Sequence, residues 1–386
     1  MRSNYKKLGE YIRPIDERNS DGSLGEDNLY GISVTKDFIV THANLVGVTF
    51  DSYKVVAPRQ FAYIPDTSRR GDKIAISLNT TREKIIVSSI CTVFEIVDED
   101  QLLPEYLMLW FMRPEFDRYA RFMSNGSARE VFDWDSMCGV ELPVPSLPEQ
   151  RKIVRDYQVI TDRIGLLRCV IEKADAQMHT YAKEWTGTHA IEEGKLSEYC
   201  QMEYGFTETA SSKDVGPKFL RITDITDAYI DWNTVPYCPI TAKDMAKYKL
   251  RQGDVVIART GATSGAAKII WNSAPDAVFA SFLVRVLAND SAYQLFLALC
   301  ITDPDFYKYV QANSEVAGSA QPQANPPLLG QYSLAIPSKD DLPEFYTIVT
   351  AYLDYIDQCA SEIAKLKTIQ ELLLTGVAVA NQGEGA

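Results

Sequence analysis

The sequence predicts an α/β (α+β) protein in which two similar globular domains are separated by two long antiparallel coiled-coil helices. The pattern is that of an internal repeat with pseudo-two-fold symmetry. Two observations predict this fold. The first is a pair of long amphipathic segments, one in the middle of the chain and one near its carboxyl end. The second is a set of short motifs that recur in the same order in both halves.

The middle segment, residues 149–185, has the apolar spacing of a coiled-coil helix. Its apolar residues alternate at spacings of three and four, which is typical of a seam against another helix. This seam consists of Ile153, Tyr157, Ile160, Ile164, Leu167, Ile171, Ala174, Met178, Tyr181 and Trp185. Ser146 and Glu149 predict a capping box at its start, and Gly187 is the predicted C-cap. A helix of roughly 55 Å with one apolar stripe requires a partner helix.

The partner helix is predicted near the carboxyl end of the same chain. Residues 341–344 repeat the pattern of residues 146–149, and Gly376 is placed as Gly187 is in the first segment. Glu362 interrupts the second seam, which consists of Ile348, Tyr352, Tyr355, Cys359, Leu366, Ile369 and Leu373. Antiparallel pairing would place the two domains at opposite ends of the helices. The alternative is two unrelated amphipathic helices, each packed on its own globular core.

Short motifs repeat between the halves and predict the domain plan. Residues 7–11 recur at 195–199, residues 113–116 at 303–306, and residues 142–145 at 334–337. In each half, predicted strands precede a helix (104–123 and 292–312), a short strand and the long helix. The predicted strands are 38–40, 54–57, 84–90, 93–97, 218–222, 254–258, 267–271 and 280–287. The predicted domains are 1–148 and 188–343, with spacer helices at 149–187 and 344–376 and a flexible tail at 377–386.

Composition favours a globular cytoplasmic protein without a metal site. The chain is 46% hydrophobic and 24% charged, and it carries no apolar run long enough for a membrane span and no apparent signal peptide. Its seven cysteines form no Cys-x-x-Cys pair and its histidines number three, so neither disulfides nor a zinc site are expected.

Two motifs suggest catalysis but lack essential parts. Residues 261–265 are rich in glycine, but the Lys-Ser/Thr of a phosphate-binding P-loop does not follow, so a tight turn is favoured. Residues 325–328 (Asn-Pro-Pro-Leu) resemble the Asn-Pro-Pro-aromatic motif of amino-methyltransferases. The aromatic residue is missing, and no glycine-rich strand–turn–helix precedes it. We therefore expect a non-catalytic protein that holds no cofactor of its own.

Several segments resemble the specificity (S) subunit of Type I restriction–modification systems. The segment Pro-Ser-Leu-Pro-Glu-Gln-Arg-Lys-Ile-Val at 145–154 resembles the domain-to-helix junction of that family. In the second half, residues 221–225 and the Gly-Asp-hydrophobic-Arg-x-Gly string at 253–261 are similar to its target-recognition domains. The resemblance covers nearly the whole chain. The first half lacks this string, and the second junction at 342–345 lacks the Gln and Arg of the first.

The resemblance implies a DNA-recognition subunit without catalytic activity. Each target-recognition domain would read one half of a bipartite, asymmetric site in double-stranded DNA. The spacer helices would set the gap and dock two modification (methyltransferase) subunits, and restriction subunits would join for cleavage. S-adenosylmethionine and ATP would bind only to those partner subunits, and no membrane is involved. The seam residues would then also serve subunit docking.

The net charge of −13 contrasts with the basic surface that DNA-binding proteins usually carry. Two other classes therefore stay open, a protein–protein adaptor with two binding modules on a helical rod and an acidic mimic of DNA. Basic side chains are interspersed among the carboxylates, which argues against a mimic of DNA. The candidate DNA-binding residues are basic or amide side chains, with one threonine, and base reading is expected mainly in the loops of each domain. They are Arg59, Arg69, Arg70, Lys73, Arg82, Lys84, Asn125 and Arg129 in the first domain and Lys218, Arg221, Lys249, Arg259, Thr260, Lys268, Gln321 and Gln323 in the second.

Overall fold

The computed structural model describes residues 5–41, 47–67, 73–124, 130–314 and 323–378. The chain divides into two compact units. Unit 1 consists of Met1–Thr161 with Lys367–Ala386, and unit 2 consists of Asp162–Leu366. Both long helices pass from one unit into the other, so each unit contains a part of both.

Unit 1 contains short strands followed by helices. Its strands are β1 (Tyr5–Lys7), β2 (Ile12–Ile15), β3 (Tyr30–Ile32), β4 (Phe38–Val40), β5 (Lys54–Val56), β6 (Phe61–Tyr63), β7 (Ile76–Leu78), β8 (Ile85–Val87), β9 (Thr92–Ile96) and β10 (Glu141–Pro143). Its helices are α1 (Pro104–Met112), α2 (Pro114–Met123), α3 (Trp134–Cys138) and the first part of α4 (Leu147–His189).

Unit 2 repeats this plan after the rest of α4. Its strands are β11 (Ala190–Lys195), β12 (Cys200–Tyr204), β13 (Lys218–Leu220), β14 (Val255–Ala258), β15 (Ala267–Ile269), β16 (Ala277–Phe279), β17 (Leu283–Ala288) and β18 (Ser333–Pro337). Its helices are α5 (Leu196–Tyr199), α6 (Ala242–Tyr248), α7 (Gln294–Thr302), α8 (Pro304–Ser314), α9 (Pro326–Gly330) and most of α10 (Leu342–Val377).

The two units share one sheet topology, which confirms the internal repeat. In unit 1 the strands lie in the order β2-β9-β6-β7, and in unit 2 in the order β12-β17-β14-β15. All neighbours in both sheets are antiparallel. The strand that precedes each sheet in the chain pairs with the strand that precedes the next long helix. Thus β1 pairs with β10, before α4, and β11 pairs with β18, before α10. The units differ in their smaller sheets, because β5 and β8 are antiparallel whereas β13 and β16 are parallel.

The helices predicted at 104–123 and 292–312 are each interrupted. Pro114 and Pro304 begin new helices, and the residue before each proline is extended, with ψ of 137° at Arg113 and 140° at Asp303. Proline has no N–H and disfavours the helical conformation at the preceding residue. The strand predicted at 280–287 begins only at Leu283, because residues 280–283 form a turn.

The long helices begin two residues before the predicted starts at 149 and 344 and extend beyond the predicted ends. At the start of α4, Glu149 Oε2 accepts hydrogen bonds from the backbone N–H (2.9 Å) and the hydroxyl (2.7 Å) of Ser146. The predicted C-caps are wrong, since α4 continues through Gly187 to His189 and α10 continues through Gly376 to Val377. The His189 ring stacks on Trp185 at 4.3 Å, which stabilises the last turn of α4 beyond the glycine.

The two long helices pack together and run antiparallel. In unit 2, Arg163 bonds to Glu362 at 2.8 Å, and Trp185 lies 4.5 Å from the Phe345 ring. Residue numbers rise along α4 as they fall along α10, so the helices have opposite directions. In unit 1, Gln370 Nε2 donates to Thr161 Oγ1 at 2.8 Å.

The buried stripe of α4 contains the predicted seam positions, whereas that of α10 is displaced. On α4, Ile164, Leu167, Ile171, Ala174, Met178 and Trp185 are buried, and Ile153, Tyr157, Ile160 and Tyr181 are half-buried. On α10 the buried residues are Leu342, Phe345, Val349, Leu353, Cys359, Ile363, Leu374 and Val377. Of the positions predicted there, Tyr352, Leu366 and Leu373 are half-buried, and Ile348, Tyr355 and Ile369 are exposed. Most of the inward face of α10 therefore lies one residue later than predicted.

Each hydrophobic core includes the end of one long helix. In unit 1, Leu374 and Val377 of α10 pack in the same core as Phe61, Phe94 and Phe111. In unit 2, Met178 and Trp185 of α4 pack in the same core as Phe296, Phe345 and Leu353. The helices are thus integral parts of both globular units.

Candidate nucleic-acid interface

In unit 2, three connecting segments meet at one end of the central strands of the sheet. They are the segment after β14, the turn before β17 and the segment before α9. Thr260, directly after β14, forms an antiparallel bridge with Gln323, which precedes α9. The backbone N–H of Ala324 donates to Arg259 O at 2.8 Å. The backbone N–H of Arg259 donates to Phe282 O at 3.0 Å, in the turn before β17. We name Arg259, Thr260, Phe282 and Gln323 the loop edge of unit 2.

The glycine-rich segment 261–265 forms the turn of this edge. Gly265 has φ of +90°, and a Cβ there would lie 2.7 Å from side-chain atoms of Val310 on α8. Only glycine permits this conformation and this approach at low cost. Gln311 on α8 also donates to Ser264 O. The segment is therefore a tight turn packed on α8, as the missing P-loop residues favour.

Arg259 has a fixed backbone and an accessible side chain. Its guanidinium carbon lies 4.6 Å from the centre of the exposed Tyr204 ring, within range of a cation–π interaction. Its Nη1 donates weakly to Ser281 O at 3.4 Å. Arg259 is half-buried, and a guanidinium held in this way retains donors for a base edge or a phosphate.

The Gly-Asp pair that precedes β14 is structural. Arg285, which is buried, donates from Nη1 to Asp254 at 3.3 Å and from Nη2 to Glu203 at 2.8 Å. Asp254 also accepts the backbone N–H of Arg251 at 2.9 Å. Burial raises the pKa of Asp254, and these donors oppose that effect. The string at 253–261 thus fixes β14 at one end and presents Arg259 at the other.

Unit 1 has an equivalent edge. Asp66, after β6, bridges to Val131, and the N–H of Phe132 donates to Pro65 O at 2.9 Å. Thr67 Oγ1 donates to Ser124 Oγ at 2.9 Å. We name residues 65–67, Ser124 and 130–132 the loop edge of unit 1. Five of the predicted residues lie outside the described residues: Arg69, Arg70, Asn125, Arg129 and Gln321. The first four are close in sequence to the loop edge of unit 1.

Four candidate cations are held by carboxylates. Lys84 pairs with Glu17 at 2.7 Å, Lys249 with Asp276 at 2.6 Å, and Arg221 with Asp224 at 2.8 Å. Arg59, which has φ of 68°, pairs with both Glu99 and Glu105. Hydrogen bonding to Glu99 and to Asp224 raises the pKa of Arg59 and Arg221, respectively. Contact with DNA through these groups would require exchange of a carboxylate for a phosphate or a base.

The remaining candidates lie in different environments. Lys218 Nζ donates to Val235 O at 2.7 Å and lies 4.0 Å from the Tyr237 ring. Lys268 donates to Ala228 O at 3.0 Å from the wall of a cavity of about 110 Å³, and burial lowers its pKa. Lys73 and Arg82 are exposed. The structure brings together Arg259, Thr260 and Gln323, whereas Lys218, Arg221, Lys249 and Lys268 do not belong to the loop edge.

Sequence reasoning missed the aromatic side chains of the unit 2 edge. Tyr204 and Phe282 are exposed at the end of β12 and in the turn before β17. Aromatic residues in a β-rich region predict buried strand positions. The sequence nevertheless indicated that both residues lie at strand ends. Tyr204 precedes Gly205 and Phe282 follows Ser281, and glycine and serine are common in turns.

Within the described residues, no cluster of histidine, cysteine or acidic side chains could hold a metal ion. None of the helices described is both long and apolar enough to cross a membrane.

Comparison with solved structures identifies the fold. No family model and no curated protein sequence matches this chain. The S subunit of a Type I restriction–modification system from M. genitalium matches with a TM-score of 0.50 at 13% identity, over 97% of this chain and 95% of that one. This chain has the fold of that S subunit.

Two further structures match with lower scores. The HsdS subunit from Thermoanaerobacter tengcongensis has a TM-score of 0.41 at 16% identity, over 97% of this chain and 96% of that one. A chain from a structure of type I R-M complex assembly and conformational transition has a TM-score of 0.45 at 16% identity, with the same coverage.

Proposed function

We propose that this protein is the DNA sequence-specificity subunit of a Type I restriction–modification complex and is itself non-catalytic. The loop edge of each unit reads one half of a bipartite, asymmetric site in double-stranded DNA. The long helices set the gap between the half-sites and dock two modification subunits. S-adenosylmethionine and ATP bind to the modification and restriction subunits rather than to this chain.

The observation that supports this proposal most is the duplicated edge. Two units with the same strand order present equivalent connections beside equivalent strands, Asp66 with Val131 and Thr260 with Gln323. The side chains at these positions differ. One scaffold carrying two different sets of loop side chains fits a protein that reads two different half-sites, because base-edge contacts specify sequence.

The acidic surface is consistent with a subunit that depends on partners for affinity. Several of its cations are already paired with carboxylates, so few phosphates would be neutralised by this chain alone. Phosphate neutralisation supplies most of non-specific DNA affinity. The modification subunits therefore provide much of the phosphate contact, and this chain provides the base contacts.

Each unit also presents an exposed apolar side of the long helices. In unit 2, Ile348 and Tyr355 of α10 lie seven residues apart on the side that carries Glu362, and Leu166 of α4 is 63% exposed beside Arg163. In unit 1, Val159, Ile369 and Leu372 are exposed. The seven-residue spacing of Ile348 and Tyr355 in unit 2 is typical of a seam for additional helices, and in unit 1 Ile369 and Leu372 lie three residues apart on α10. One such side in each unit provides a docking surface for each of two modification subunits.

Methylome sequencing of cells that express this chain with its modification subunit tests the proposal. We expect adenine methylation at a split, asymmetric site, and no such methylation when this chain is omitted. Titration calorimetry of the isolated chain should detect no binding of S-adenosylmethionine. Methylation that is unchanged without this chain, or stoichiometric donor binding to it, would refute the proposal. Stable binding of another protein without any effect on methylation would favour an adaptor.

A further inference from the structure

Both units expose a large apolar side chain at the same position of the same turn. Ile90 is 63% exposed and Phe282 is 57% exposed. Each is the third residue of a four-residue turn closed by a backbone hydrogen bond. Cys91 N–H donates to Ser88 O at 3.0 Å, and Leu283 N–H donates to Ala280 O at 2.8 Å.

The sheet register shows that the two positions are equivalent. Phe94 lies opposite Phe61 at the start of β6, and Val286 lies opposite Val255 at the start of β14. Ile90 precedes Phe94 by four residues, and Phe282 precedes Val286 by four residues. The turns read Ser-Ser-Ile-Cys and Ala-Ser-Phe-Leu, so the position of a serine followed by a large apolar residue is shared although the sequence is not.

These residues differ from ordinary surface hydrophobics in their placement. A single exposed apolar residue needs no explanation. Tight turns, however, favour glycine, asparagine, aspartate and serine, and here both turns carry a large apolar side chain. The Phe282 carbonyl accepts the N–H of Arg259, so its turn is part of the loop edge of unit 2. In unit 1, Thr92 of the following strand lies opposite Tyr63, two residues before Pro65, where the loop edge begins.

We infer that Ile90 and Phe282 are wedges that insert between base pairs, one in each half-site of the DNA. This inference rests on the proposed function. Architectural DNA-binding proteins insert phenylalanine, leucine, isoleucine or methionine between base steps, unstacking them and kinking the duplex. Arg259 beside Phe282 supplies a cation for the adjoining phosphate or base edge. The aromatic Phe282 can also stack on a base, whereas Ile90 only separates the step.

The test uses the complex of the full chain with its modification subunits, bound to a duplex that carries the methylated site. The fluorescent base 2-aminopurine replaces single bases across the site and becomes brighter where stacking is lost. The variants are Phe282→Ala, Ile90→Ala and the conservative Phe282→Leu. The matched controls are Val97→Ala, which lies just past the opposite end of β9, and Ile191→Ala on β11, both exposed apolar residues away from the loop edges.

We expect the wild-type complex to brighten one position in each half-site. Phe282→Ala should abolish the signal in one half-site only and raise Kd about 5- to 150-fold, and Ile90→Ala should abolish the other signal. Phe282→Leu should retain the signal, and both controls should behave as wild type. Unchanged signal and Kd in both alanine variants would overturn the inference. Weaker assembly with the modification subunits at unchanged signal would also overturn it and identify a protein contact. A wild-type complex without site-specific methylation would refute the proposed function and the wedges together.

Discussion

Arg259 combines a fixed backbone with an accessible charged side chain. Its N–H and its carbonyl both take part in backbone hydrogen bonds, to Phe282 and from Ala324. The direction of its side chain is therefore set by the edge of the sheet, and the Tyr204 ring supports the guanidinium from one side. This is the preorganisation that a specific base contact requires, since a mobile side chain would lose entropy on binding.

Replacement of Arg259 should remove sequence preference in one half-site. We expect Arg259→Ala to cost about 1–3 kcal/mol of discrimination there and to leave the other half-site unchanged. Arg259→Lys should not restore the preference, because an ammonium lacks the planar pair of donors. Methylome sequencing of the variants measures both effects. Lys308→Ala is the control, because Lys308 lies in the same unit, pairs with Asp305 and is not a candidate DNA-binding residue. Equal loss of both half-sites in Arg259→Ala would contradict a role in base reading.

Lys268 provides a prediction of stability against pH. Burial disfavours the charged form of the Lys268 amine, so its pKa in the folded state lies below the value of about 10.4 in the unfolded state. The charge is therefore destabilising at neutral pH, and this penalty fades as pH rises through the lowered pKa towards the unfolded value. We expect Lys268→Met to unfold at a higher temperature than wild type at pH 7, by a margin that shrinks towards pH 10. Melting curves at several pH values provide the measurement.

The same variant distinguishes packing from DNA contact at this position. A complex containing Lys268→Met should methylate the same site as wild type, since Lys268 lines a cavity and does not belong to the loop edge. Lower stability of the variant at pH 7 would show that the hydrogen bond to Ala228 O outweighs the cost of burial. A changed recognition site would show that Lys268 contacts DNA.

The helix α10 shows what a seam pattern can and cannot determine. Apolar residues occupy neighbouring positions along it, such as Ile348 with Val349, Tyr352 with Leu353, and residues 372–374. A helix with two adjacent apolar stripes fits two rotations about its axis, and spacing alone does not distinguish them. Packing against the unit 2 core selects the stripe that contains Phe345, Val349 and Leu353. In the other stripe, Ile348 is exposed and Tyr352 is half-buried.

Two adjacent residues of α4 should separate folding from docking. Leu167 is buried, and Leu166 is 63% exposed. We expect Leu167→Asp to cost several kcal/mol of stability, because the carboxylate would be buried without a partner. Leu166→Asp should leave the melting temperature within a few degrees of wild type and reduce co-purification with the modification subunits. Gln177→Asp, which makes the same change of charge at another exposed position on the same helix, is the control. Normal assembly of Leu166→Asp would contradict the proposed docking side.

Much of the architecture followed from spacing, because the repeat and the N-terminal cap of α4 at Ser146 are local patterns. The helix breaks at Pro114 and Pro304 were not predicted, although each proline removes a backbone donor and disfavours the helical conformation before it. The partners of the candidate cations were not predicted either, because the pairing of Arg59 with Glu99 and Glu105 joins residues from separate loops. Nor was the exposure of Phe282, which depends on the order of strands in the sheet. Local rules thus predicted elements, and tertiary contacts decided which side chains stay available.

At the scale of the whole molecule, the helices should act as a ruler between the half-sites. Both pass from unit 1 to unit 2, at Thr161 in α4 and at Leu366 in α10. Insertion of four residues after each of these positions adds about 6 Å and close to one full turn, so the seams beyond stay nearly in phase. At about 3.4 Å per base pair, this corresponds to nearly two base pairs. We expect the same half-sites with a gap longer by one or two base pairs, detected by methylome sequencing. The same four residues added after Ala386 should leave the gap unchanged. Methylation at the original gap in the helix variant would show that the helices are struts and that another part of the complex sets the spacing.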